Sequence, residues 1–93
     1  MIKTVKWQFE FSERARKEFK ELDLSVKKRI QDFVMRLISA NEKPQKLGKR
    51  LSGKLGHLYS FRVGAYRIVA ELYENKYHIL ALHIGHRREV YNI

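Results

Sequence analysis

The second half of this sequence is dense in side chains that can handle a phosphate: Tyr59, Arg62, Tyr66, Arg67, Arg87, Arg88 and Tyr91. Guanidinium forks match phosphate oxygens two at a time, and a phenol can stack on a base or move a proton. A sheet face holding Arg62, Arg67 and Arg87, edged by Tyr91, can bind one backbone phosphate. The chemistry such a face supports without a metal is internal transesterification of RNA. In that reaction a ribose 2′-OH attacks its own 3′-phosphate, which needs a base, charge stabilisation and an acid for the leaving oxygen. A plainer reading stands beside it. Arginines and tyrosines on an exposed face can simply solvate a basic protein, bind nucleic acid unchanged or meet an acidic partner.

Other chemistries lack their residues. There is no cysteine, hence no thiolate nucleophile, disulfide or cysteine-based zinc site. No glycine-rich phosphate loop occurs. The acids of the second half, Glu71, Glu74 and Glu89, form no close pair for glycosidase-type chemistry. His57, His78, His83 and His86 lack metal-ligand spacing and are expected to cap or pack. Neither a metal nor a cofactor is expected.

Charge narrows the partners. Twenty Lys and Arg against ten Asp and Glu give +10, an excess that repels itself unless something uses it. Residues 1–40 hold ten basic and six acidic residues intermixed, whereas residues 43–70 hold seven basic residues and no acid. The second pattern is a one-sign surface, suited to nucleic acid, an anionic membrane or an acidic protein. The opening MIKTVKWQFEF has interleaved charges and no apolar run, so neither a signal peptide nor a membrane span is expected, and the cytoplasm is the expected location.

The elements that must carry these groups follow from periodicity. Val5, Trp7, Phe9 and Phe11 alternate with polar residues as a half-buried strand does. Ser12 stands at a helix N-cap, and Ala15, Phe19 and Leu22 give that helix one apolar face. Asp23 or Ser25 caps a second helix, whose Val26, Ile30, Phe33, Val34, Leu37 and Ile38 hold helical spacing until Pro44 enforces an end near Asn41. Residues 42–56 read as a basic loop with a short helical turn. Residues 57–63, 66–73 and 77–84 read as three strands, with Gly85 opening a basic tail. The expected fold is α+β in one domain over residues 1–93: two N-terminal helices on one face of a mainly antiparallel sheet, in the order β-α-α-β-β-β. The first strand can join the meander at an edge or in the middle. Trp7, Phe9 and Phe19 are assigned to the core.

With these elements in place, the sequence resembles the RelE/ParE superfamily of toxins from toxin–antitoxin systems, and its RelE branch in particular. The resemblance covers nearly the whole chain. It rests on the helices FSERARKEFKELD and VKKRIQDFVMRL, on KLGKRLSGKLGHLYSFRVGAYRIVAEL and on the ending IGHRREVY, in order and at family-like spacing. It implies a ribosome-dependent, metal-independent endoribonuclease that cuts mRNA in the A site by 2′-OH attack and so inhibits translation. Residue by residue, Arg67 matches the arginine on the scissile phosphate. Arg87 matches the general acid or charge stabiliser at the leaving group, and Tyr91 the general base on the 2′-OH. Arg62 matches a basic strand position, and Arg88 adds charge that lowers the pKa of Tyr91. The family's strand lysines are replaced here by Leu58 and Ser60, so Lys49, Arg50 and Lys54 of the preceding loop are the substitutes, with Ser60 a small polar wall of the pocket. The implied partners are an acidic RelB-like antitoxin that folds on binding, the ribosome and mRNA. DNA is reached only through the antitoxin complex, and no membrane is involved. ParE-like members act instead on DNA gyrase, and a catalytically weak, antitoxin-binding toxin is the third alternative.

Overall fold

The structure is a computed structural model that describes residues 7–39, 43–86 and 88. The alternation of the first strand produces β1 (Gln8–Phe11). Ser12 then turns the chain into α1 (Glu13–Lys20): its backbone is extended and its hydroxyl accepts the Ala15 N–H at 3.1 Å, the expected N-cap. α2 (Leu24–Ser39) starts after Asp23, whose carbonyl accepts the Lys27 N–H at 2.9 Å. Its expected end near Asn41 lies outside the described residues. β3 (Leu58–Val63), β4 (Tyr66–Tyr73) and β5 (His78–His86) form the meander.

With β2 at Lys49–Arg50, the sheet has five strands in the order β1-β5-β4-β3-β2, so the first strand takes an edge and runs parallel to β5, while the other neighbours are antiparallel. The extra strand, β2 (Lys49–Arg50), lies within the segment expected to be loop. Gly48 is what brings the chain in close: a Cβ there would stand 2.7 Å from the Phe61 ring. Both helices cover one face. Ala15 of α1 and Ile30, Phe33 and Leu37 of α2 are buried with Phe61, Ile68, Ala70 and Ile79 of the sheet. Trp7 is buried, and Phe9 and Phe19 pack against this core. Full burial of each large side chain contributes about 1.5–3 kcal/mol.

β5 departs from the alternation expected of it. Val69 pairs with His83 but Ala70 pairs with Ala81, leaving Leu82 as a bulge residue. The extra residue flips the parity, so Ile79 and Ala81 face the helices and so does Ile84. The strand also runs on through Gly85, which pairs with Arg67, to His86, which pairs with Tyr66. β1 stops at Phe11, opposite Ala81, and α1 closes the edge of β5 beyond that point. Ser12 donates its N–H to the Ala81 carbonyl at 2.8 Å and its hydroxyl to the Leu82 carbonyl at 3.1 Å. Glu18 accepts the Ile84 N–H at 2.9 Å. Backbone groups that an edge strand leaves open are thereby satisfied by the neighbouring helix.

Candidate phosphate-binding face

The sheet face away from the helices carries the candidate site. Cross-strand register sorts it into rows. Arg62, Arg67 and Gly85 lie side by side on β3, β4 and β5. The next row is Lys49, Ser60, Val69 and His83. Beyond it the face turns apolar: Leu58 and Val69 are buried under Leu51, Leu55 and Leu82. The face is thus basic at the hairpin end, apolar in the middle, and carries Glu71 and Tyr73 at the far end.

The hairpin sets the Arg62–Arg67 contact. Gly64 takes φ of 60° while Ala65 stays at negative φ, the type II′ pattern that suits a two-residue connection. Val63 and Tyr66 close that turn as a hydrogen-bonded pair, so Arg62 and Arg67 form the closer, non-hydrogen-bonded kind, with Cα atoms about 4.5 Å apart. Like charges directly opposite each other destabilise a sheet. Arg62 is exposed, Arg67 is half-buried, and Arg62 belongs to no ion pair among the described residues.

The remaining candidates divide. Lys49 is exposed at the β2 edge opposite Ser60, on the arginine face. Ser60 is buried, 5% exposed, and Leu58 is 3% exposed. Leu58 packs with Val69 in the satellite core, so the place of one family lysine is occupied by a packing residue. Arg50 turns to the opposite face: it sits opposite Tyr59, and its Nε donates to the Gly56 carbonyl. It is therefore not brought to Arg67. Lys54 is exposed on the short helical turn Gly53–Leu55. Arg88 is exposed, its backbone N–H directed to His86 Nδ1 at 3.4 Å. Arg87 and Tyr91 lie outside the described residues.

Two features escaped the sequence reading. His83 is buried, and its Nδ1 stands 2.7 Å from the Glu18 carboxylate, which also takes the Ile84 N–H and the Arg14 Nε. An ionised carboxylate only accepts, so the Nδ1 that faces it carries a proton. The ring's Nε2 is buried without a hydrogen-bond partner among the described residues, beside Gly85 in the row of Arg67. Sixty-five residues separate the pair, so no local signal could show it. The second feature is a cleft at the hairpin tip lined by Arg29, Asp32, Phe33 and Arg36 of α2 together with Arg62 and Gly64. Tyr73, at the far end of β4, donates its phenol proton to Glu71 at 2.8 Å, and that bond raises its pKa from the ordinary 10.0, the direction opposite to what a base requires. Among the described residues no three of His, Asp or Glu converge as metal ligands would. No helix among them is long and apolar enough to cross a membrane.

This architecture can be compared with known proteins. A family described as the ParE toxin of the type II toxin–antitoxin system parDE matches residues 9–91. The chain belongs to that toxin family. Solved structures place it in the wider RelE/ParE superfamily. The RelBE2 toxin–antitoxin complex of Mycobacterium tuberculosis is 25% identical with a TM-score of 0.69, over 91% of this chain and 95% of that one. The RelB–RelE complex of Methanococcus jannaschii is 26% identical with a TM-score of 0.68, over 88% and 94%. The archaeal RelE–RelB complex of Pyrococcus horikoshii shares the fold, with a TM-score of 0.71 at 21% identity over 88% and 96%. No curated protein matches the sequence. The two helices on a five-stranded mixed sheet are the RelE-like fold, as the periodicity and the resemblance led one to expect.

Proposed function

We propose that this toxin is a ribosome-dependent endoribonuclease that cuts mRNA by 2′-OH attack on the adjacent 3′-phosphate. The observation that carries the reading is the direct opposition of Arg62 and Arg67 on a face with Lys49 at its edge. Two arginines on paired strand positions can each offer a guanidinium fork to the oxygens of one backbone phosphodiester, and the charge they meet grows as that monoanion becomes a dianionic phosphorane. In the proposed step the 2′-oxygen forms its bond to phosphorus as the 5′-oxygen leaves, giving a 2′,3′-cyclic phosphate and a 5′-hydroxyl. Arg67 and Arg62 take the charge on the phosphate oxygens. Tyr91, as its phenolate, accepts the 2′-OH proton; Arg87, whose guanidinium keeps its proton at neutral pH, stabilises the departing 5′-oxygen, which takes a proton from water to become the 5′-hydroxyl. Leu58 and Ser60 supply no charge to this face, and Lys49, opposite Ser60, adds one cation to it.

The partners follow from the same charge. An acidic RelB-like antitoxin segment that folds on binding would neutralise the arginine face, and ribosomal RNA would attract a +10 domain without base-specific contacts. The proposed location is the cytoplasm. A gyrase-directed toxin is the second reading, favoured by the match to the ParE family. Primer extension on a defined mRNA in a cell-free translation reaction separates the two. Cuts within codons that need the ribosome and vanish with Arg67→Ala support the nuclease. An intact message with inhibited gyrase supercoiling would replace it with the second reading.

A further inference from the structure

The cleft at the tip of the β3–β4 hairpin lies outside the mechanism just given, apart from Arg62. Arg29, Asp32 and Arg36 lie on one side of α2, three and four residues apart, and line this cleft together with Arg62. Three guanidinium groups face one carboxylate, and none of the three belongs to an ion pair among the described residues. Two are held by uncharged neighbours instead. The Arg36 guanidinium carbon lies 5.4 Å from the centroid of the Phe33 ring. An Arg29 nitrogen packs over Gly64, 3.3 Å from where a Cβ would stand. Groups anchored in this way keep their donors for a ligand, because no carboxylate among the described residues forms an ion pair with them.

We propose that Arg29, Arg36 and Arg62 form a second phosphate-binding cleft that takes the backbone of an RNA strand, with Asp32 accepting a hydrogen bond from a ribose 2′-hydroxyl. Arg62 belongs both to this cleft and to the row of Arg67. A strand with one phosphate at Arg67 therefore continues over the hairpin edge toward α2 instead of leaving into solvent. Asp32 chooses among polyanions. A carboxylate inside the cleft repels the acids of a peptide and gains nothing from deoxyribose, but ribose offers it a donor. The choice of RNA rests on the nuclease reading above.

The test is equilibrium binding of the full chain to a labelled single-stranded RNA, to DNA of the same sequence and to a poly-glutamate peptide, each over a salt series. Each phosphate contact on a single strand adds about 0.7 to the slope of log K against log salt, so Arg29→Gln with Arg36→Gln should lower the RNA slope by about 1.4. Arg29→Gln alone should lower it by about 0.7, which keeps the test available if the double variant fails to fold by circular dichroism. Asp32→Ala, which leaves no side-chain acceptor, should erase the preference for RNA over DNA, and an unchanged preference would refute the role of Asp32. The cleft is refuted if the RNA slope is unchanged, if the wild-type chain binds no RNA, or if poly-glutamate binding falls as much as RNA binding. Failure of the nuclease reading looks different: the message stays intact in the translation assay while the RNA slope still drops with the double variant.

Discussion

Replacing Arg62 by glutamine removes one of the two guanidinium groups that β3 and β4 hold opposite each other, and it should stabilise the fold while weakening the toxin. The side chain is exposed, so the donors and length that glutamine gives up are replaced by water, and the main change to the fold is the loss of the charge. Two unit charges about 8 Å apart in water repel by about 0.5 kcal/mol. Arg29 and Arg36 add to that repulsion, and Asp32 offsets part of it. For a domain of this size about 0.5 kcal/mol raises Tm by roughly 2–4 °C. Salt supplies the internal control: at about 0.1 M the screening length is about 10 Å, so the gain should fall by about half between low salt and that concentration. Arg62→Lys keeps the charge and should show no salt-dependent gain. The assay is thermal melting at two ionic strengths, paired with the translation-coupled cleavage assay. A Tm that is unchanged or lower at low salt would refute the idea that this pair is kept for an anion at the expense of the fold.

Glu18→Ala removes the acceptor shared by His83 Nδ1 and the Ile84 N–H and should destabilise the protein by about 2–4 kcal/mol in urea unfolding, whatever happens to activity. Leu58→Lys, which restores a family lysine, should cost about 3 kcal/mol or prevent folding, because that side chain is buried beside Val69. Ser60→Lys should cost about 2–3 kcal/mol, because a lysine there must push out of a buried position and stands opposite Lys49, and it should raise the cleavage rate per folded molecule if the phosphate face lacks charge. Gly64→Ala should cost about 1–3 kcal/mol, since an L-residue is strained at φ of 60° and its Cβ would press on Arg29; equal stability of the two proteins would overturn the II′ assignment.

Much of the fold is written locally. Ser12 caps α1 because a hydroxyl before an amphipathic run satisfies open N–H groups wherever it occurs, and the apolar spacing of α2 survives in any context. The Gly64 turn fixes its hairpin, and through period two it fixes that Arg62 and Arg67 share a face. The sequence therefore determined the order of the two helices and of the first strand and the meander, the helix faces, the hairpin register and the basic character of one surface. Other features depend on groups far apart in the chain. The edge position and parallel sense of β1 require β5, some seventy residues on by the count from Gln8 to His78. β2 forms because Gly48 admits Phe61, and Arg50 turns away from the site because that strand exists. The bulge at Leu82 reverses which residues of β5 face the helices, and periodicity cannot anticipate one inserted residue. The Glu18–His83 pair and the cleft of Arg29, Arg36 and Arg62 arise where a helix meets a sheet edge. Local propensity carries no term for such contacts, so only the tertiary structure decided them.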